Sequence, residues 1–215
     1  TIIIIYFRLY MPGLLFHRFL LFFLLLLPET FFSADEPLRG IIISCQTWGW
    51  EWGTDEMVEA METIKTTGAN WIAIHPYARI QRDGTVNFSS LQSTSPPLWL
   101  TRPIAEADQL GLKICIIPHL APWRAGWKWR GDITFEDETA WDRFFHSYTD
   151  FVTTLATICG PIDGFCVGSE LGKTTSRSAE WRKVITAVRE KTSAPLTYGA
   201  NWSEFDQISF WDTLD

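Results

Sequence analysis

From Arg39 onward, short apolar runs alternate with stretches of helical periodicity, and no repeat or low-complexity linker breaks the alternation. The runs fall at 41–45, 71–75, 112–118, 164–168 and 196–200. Between the first two, Met57, Val58, Met61 and Ile64 share one helical face; Thr54 is the expected N-cap, Asp55 and Glu56 occupy the first turn, and Gly68 is the stop. A second helix is expected around Pro103, with Ile104, Ala107 and Leu110 at helical spacing and Gly111 at its end. The third is the clearest. Trp141, Phe144, Phe145, Tyr148, Val152, Leu155 and Cys159 recur at intervals of three and four behind acidic Glu136, Asp137 and Glu138. A fourth carries Trp181, Val184, Ile185 and Val188 on one face. The run at 112–118 is apolar apart from Lys113, as a parallel strand covered on both faces should be.

A strict βαβαβαβαβ order implies an α/β fold with a parallel sheet and crossover helices. An open doubly wound sheet and a closed barrel both satisfy it. A dinucleotide-binding sheet would carry G-x-G-x-x-G in its first βα turn, where bare backbone meets phosphate. Here that turn reads QTWGWEWG (46–53), with bulky indoles in the way. The expected architecture is therefore a (β/α)8 barrel. Such a barrel needs about 250 residues, so 215 residues are expected to form about five βα units of it, with the chain truncated before a sixth strand. An open barrel of this kind would expose strand edges and is expected to be poorly soluble.

The N-terminus reads as a targeting segment. Met11 is a plausible start, with His17 and Arg18 ahead of an apolar stretch at 19–27, then Pro28 and the small pair Ser33 and Ala34. That stretch is shorter than the ~18–20 residues a membrane span needs. Residues 1–34 are accordingly assigned to upstream sequence plus a signal peptide, and 35–215 to the N-terminal part of the barrel. Secretion or cell-surface display is expected without stable membrane insertion after cleavage, an uncleaved membrane anchor being the alternative. A net charge of −7 argues against nucleic acid or a polybasic membrane patch, both of which need clustered Lys and Arg. Cys45, Cys115, Cys159 and Cys166 have no C-x-x-C spacing, and the expectation is free core thiols. Oligomeric state is left open.

In a parallel barrel the functional groups gather where strands end. Every run here terminates in polar or aromatic groups able to hold a sugar: Gln46 and Trp48; His75, Tyr77 and Arg79; His119; Ser169 and Glu170; Asn201 and Trp202. Of the twelve tryptophans, Trp71, Trp99, Trp141 and Trp181 fall in regular elements, where packing explains them. Trp48, Trp50, Trp52, Trp123, Trp127, Trp129 and Trp202 crowd the loops after the first, third and fifth runs. Flat indole faces stack on pyranose rings, so this clustering suggests saccharide subsites; packing of the loops onto the barrel is the competing explanation.

The segments RGI (39–41), CQTWGWEWGT (45–54), GANWIAIHPYA (68–78), FCVGSEL (165–171) and YGANW (198–202) resemble glycoside hydrolase family 113, in order along the chain. The resemblance implies a retaining enzyme acting on β-1,4-mannan, with carboxylates after the fourth and seventh barrel strands. It maps the acid/base onto Glu170, which would protonate the glycosidic oxygen and then deprotonate the incoming water. The alternative for Glu170 is a structural glutamate paired with a rim arginine such as Arg79. The nucleophile, needed about 5–5.5 Å away, would follow a seventh strand that this chain lacks. Glu51, Asp132, Glu204 and Asp206 do not stand at that station. Trp48, His75, Tyr77, His119, Asn201 and Trp202 would bind substrate, and Arg79 would orient a carboxylate. Many members of the wider clan have Asn before the acid/base, and here it is Ser169. No cofactor is implied, and the H-x-H spacing of barrel metallohydrolases is missing. Two other classes stay in play: a catalytically silent barrel that holds polysaccharide, and a metallohydrolase using His75 and His119.

Overall fold

A computed structural model describes residues 37–91 and 96–215. The segment read as upstream sequence and leader, 1–34, lies outside the described residues. The chain runs β1 (Gly40–Ile42), α1 (Asp55–Thr66), β2 (Trp71–Ile74), β3 (Tyr77–Ile80), β4 (Val86–Asn87), α2 (Leu98–Leu110), β5 (Lys113–Ile116), β6 (His119–Ala121), α3 (Glu138–Cys159), β7 (Gly164–Ser169), α4 (Ser178–Arg189) and β8 (Leu196–Gly199).

The main sheet has the order β1-β2-β5-β7-β8, and all its pairs are parallel. Each βα unit lays its strand beside the preceding one, so the order never reverses. A doubly wound sheet must reverse at its switch point, whereas a barrel wall grows in this monotonic way. The five expected runs are these five strands, and the four expected helices are α1 to α4.

Local chemistry explains most boundaries. Asp137 caps α3 by accepting the Ala140 N–H at 2.8 Å, and one face of α3 is buried from Ala140 to Cys159. Gly111 ends α2 in the left-handed region, φ 66°. Thr54 precedes α1 as expected, but its hydroxyl donates to the Glu51 carbonyl rather than accepting from the first turn. All four cysteines are free thiols.

The sequence reading passed over a second sheet, β4-β3-β6. Pro76 follows β2 and Pro118 follows β5; proline has no N–H for a ladder, so each strand breaks there. Beyond the breaks β3 and β6 pair with each other, Tyr77 opposite His119, tied by the His119 N–H to the Pro76 carbonyl at 2.8 Å. Two barrel strands are thus extended into a small platform above the sheet, which carries Tyr77, Arg79 and His119.

Candidate active site

Glu170 follows β7 directly, in the left-handed region at φ 54°, the one non-glycine residue with positive φ among the described residues. Such a conformation costs on the order of 1–3 kcal/mol and persists only where the surroundings impose it. The surroundings are specific. Its own N–H donates to the Gly199 carbonyl at 2.8 Å, and the next N–H, of Leu171, donates to the Tyr198 hydroxyl at 2.9 Å. A bulge between Cys166 and Ser169 shifts the β7–β8 register, and the Val167 carbonyl there is taken by the buried Tyr148 hydroxyl at 2.8 Å. Bulges re-aim side chains next to sites, and this one turns the end of β7 so that Glu170 meets the loop after β6.

That loop supplies two donors to one carboxylate oxygen. Trp129 Nε1 donates to Glu170 Oε2 at 3.3 Å, and Arg130 Nη1 lies 3.5 Å from it. The same Arg130 nitrogen is 3.1 Å from His119 Nε2. Arginine can only donate, so Nε2 accepts and the His119 proton sits on Nδ1. Gly131 makes this loop possible, since any Cβ there would overlap the Trp129 ring.

Behind Arg130 the aromatic groups interlock. His119 and His75 stack at 4.7 Å, Tyr77 meets both edge-on, and Trp48 meets Tyr77 at 5.8 Å. His75 is buried, with Nε2 3.1 Å from Ser44 Oγ. Burial holds His75 down at about 4, with Arg130 adding to the effect. His119 is lowered too, by burial first and then by Arg130 and His75. Both imidazoles are therefore neutral at working pH, and their stacked faces do not converge on a common ion. Among the described residues no group of three or more His, Cys, Asp or Glu could hold a metal.

The other expected site residues divide. Arg79 lies over the Trp48 ring at 4.3 Å, and no contact joins it to Glu170; the arginine on that carboxylate is Arg130. Asn201 donates its backbone N–H to Glu204 at 3.0 Å. Trp202 is 86% exposed. Of the loop tryptophans, Trp52 is 1% exposed and packs edge-on under His75, with Nε1 on the Ile43 carbonyl. It supports the platform and is not a sugar surface. Trp127 packs against Phe135, while Trp50 and Trp123 stand open at 71% and 63%.

Sequence reasoning missed Arg130 and the hydrogen-bonding role of Trp129, and it set Glu204 aside as a spare acid without seeing its structural role. Glu204 is buried, accepts from the Tyr198 hydroxyl at 3.5 Å, and sits where any Cβ on Gly172 would collide with it. Burial raises its carboxyl, and the charge of Glu170 adds to that. It is a brace between the β8 loop and the residues after Glu170. Of the other spare acids, Glu51 accepts from Thr47 and Asp132 lies 4.0 Å from Lys173.

Beside Tyr77 opens a cleft of about 690 Å³ between Trp48, Trp50, Arg79 and Trp123. Glu170 is not among its lining residues, but Tyr77 joins the two, through His119 and Arg130.

Acid, arginine and aromatic groups thus share the end of the strands at which (β/α)8 barrels do their chemistry, and the fold is that of these barrels. The sequence profile of Glycoside Hydrolase Family 113 matches residues 46–215, and the chain belongs to that family. Among solved structures it is similar to the GH113 β-mannanase AaManA from Alicyclobacillus acidocaldarius in complex with ManMIm. The two share 26% identity with a TM-score of 0.71, over 83% of this chain and 59% of the other. Two structures of GH113 β-1,4-mannanase follow at 23% identity; one has a TM-score of 0.70 over 82% and 59% of the two chains, the other 0.71 over 83% and 60%. The chain spans about 59% of the length of AaManA. A comparison with curated protein sequences returned no match.

Proposed function

We propose that this chain is the acid/base-bearing part of a secreted, retaining β-mannanase, with Glu170 as the proton donor and acceptor. The observation that carries the reading is Glu170 itself, held in a strained conformation at the end of β7 with Trp129 and Arg130 on one oxygen. Strain of this kind is concentrated at functional sites. In the first half of a double displacement, a nucleophilic carboxylate bonds to the anomeric carbon while Glu170 protonates the departing glycosidic oxygen. In the second, Glu170 takes a proton from water, which attacks the same carbon and frees the nucleophile. We assign that nucleophile to a part of the barrel outside these 215 residues, because Glu51, Asp132 and Glu204 are engaged elsewhere and Asp206 sits in a short turn, not at the end of a strand. The chain alone is then inactive on mannan. Tyr77, Asn201 and exposed Trp202 serve as hydrogen-bonding and stacking groups around the cleaved bond, while His75 and His119 act from behind, positioning Tyr77 and Arg130.

Assays on the full-length protein test this. Glu170→Ala should lose most activity on β-1,4-mannan and much less on aryl mannosides with good leaving groups, whose departure needs no acid. Equal losses on both would contradict the role. An ion-paired glutamate also suits a barrel that binds without cleaving, so mannan binding with no release of reducing sugar would favour that second reading. Recovery of the protein from culture medium with a new N-terminus would support export.

A further inference from the structure

The cleft beside Tyr77 carries a charge pattern that a neutral mannan does not call for. Arg79, Arg82 and Arg124 line it, and among the described residues no Asp or Glu does. This is a chain with 25 acidic residues against 18 basic ones. Elsewhere Arg102, Arg130, Arg143, Arg177, Arg182 and Arg189 each face a carboxylate. The three cleft arginines face none among the described residues. Two of them are held in place: Arg79, on β3, lies over the Trp48 ring, and Arg82 Nε donates to the Ala125 carbonyl at 3.2 Å. Arg124 projects from the turn after β6, next to exposed Trp123. Three guanidinium groups lining a cavity without a carboxylate partner raise its potential and draw in anions. Their planar forks match carboxylate or sulfate oxygens in pairs. Trp48, Trp50 and Trp123 meanwhile offer flat apolar faces to a sugar ring. At about 690 Å³ the space lies within the range of small-ligand sites.

We infer that this cleft is a subsite for an anionic sugar, a uronic acid or a sulfated hexose, carried on the glycan that is cut at Glu170. The inference rests on the glycosidase reading for its polymer and on the cleft alone for its charge. Tyr77 borders both regions, so one chain of sugars can occupy cleft and cleavage point together. Neutral mannan fills the same cleft by stacking and leaves the arginines solvated.

The test is calorimetric titration of the full-length protein carrying Glu170→Gln, which prevents turnover, with three manno-oligosaccharides of equal length: neutral, glucuronate-bearing and sulfated. At low salt at least one anionic ligand should bind roughly tenfold tighter than the neutral one, and the gap should close at high salt. The ligand that shows the gap identifies the anion. Adding Arg82→Gln and Arg124→Gln should abolish the preference while neutral affinity and the melting temperature hold. Equal affinity for all three ligands overturns the inference, as does a loss in the arginine variant that falls equally on neutral and anionic ligands. Hydrolysis of neutral mannan by the wild type without any anionic preference overturns this subsite and leaves the mannanase proposal standing. A salt-sensitive anionic preference in a protein that cleaves no mannan does the reverse.

Discussion

Trp129 and Arg130 act on Glu170 from a loop 40 residues upstream, and neither can be replaced by a residue of similar size without changing the acid's surroundings. Trp129→Phe keeps the ring over Gly131 and removes the Nε1 donor. A hydrogen bond to a charged group contributes about 1.5–3 kcal/mol, so kcat/KM on mannan should fall by roughly ten- to a hundredfold. Folding should be unchanged by circular dichroism. Gly131→Ala should give a similar loss by another route, because the added methyl displaces the indole; steady-state kinetics on both variants checks the pair. Glu170 stood out in the sequence because it ends an apolar run and because the family resemblance maps the acid/base there, and the structure places it at the end of β7. Arg130 was not. It lies among loop residues with no periodicity, and only the folded path of the loop brings it onto Glu170 and His119. Arg79 attracted attention by its place within β3, yet its guanidinium stacks on Trp48 at the cleft and makes no contact with Glu170.

At the scale of elements the same contrast holds. The strands of the main sheet and the four helices follow from apolar runs and helical spacing, which are local properties. Sheet β4-β3-β6 is built from strands of two to four residues, too short to show an alternation, and its cue was the pair of prolines that break β2 and β5. The bulge in β7 is equally hidden, since it depends on Tyr148 from α3 reaching the Val167 carbonyl. Gly168 sits at that bulge, and a Cβ there would lie 2.6 Å from the Trp181 ring and 3.1 Å from the Tyr148 hydroxyl. Gly168→Ala therefore forces β7 away from α3 and α4. Overpacking of this kind costs about 1–3 kcal/mol, visible as a lower denaturant midpoint, and activity should fall with it because Glu170 moves. Asp137→Ala removes the α3 cap and should cost about 1 kcal/mol, with kinetics unaltered since no residue of α3 lines the cleft or bonds to Glu170. A capping variant that lost activity without losing stability would contradict that separation of roles.

For the whole molecule, the two stacked histidines couple folding to pH. Folded His75 stands at about 4 against an ordinary 6.5, because burial disfavours its cation and Arg130 repels it. His119 is displaced the same way by burial, Arg130 and His75. Tyr77, Trp52 and Ser44 complete the surroundings and bring no carboxylate. The unfolded chain thus takes up protons from pH 6.5 downward while the folded chain does not, and the state that binds more protons gains as pH falls. Stability is fully present above about pH 6.5 and declines towards pH 4, by up to about 1.4 kcal/mol per unit for each histidine. Glu204 acts in the opposite direction, its raised carboxyl favouring the protonated folded form. The lowered acids start from an ordinary 4.5 (Glu51, Glu56 and Glu138) or 3.8 (Asp83, Asp212 and Asp215), so their contribution is lost only from the foot of that window downward. Between pH 6.5 and 4.5 the histidine pair should govern the slope. Thermal unfolding followed across that interval should show a falling midpoint, and His119→Gln should flatten the fall while leaving the plateau above pH 7 lower by its lost packing. An unchanged slope in that variant would mean that the imidazole is protonated within the folded barrel, and the neutral acceptor assigned to Arg130 would have to be abandoned.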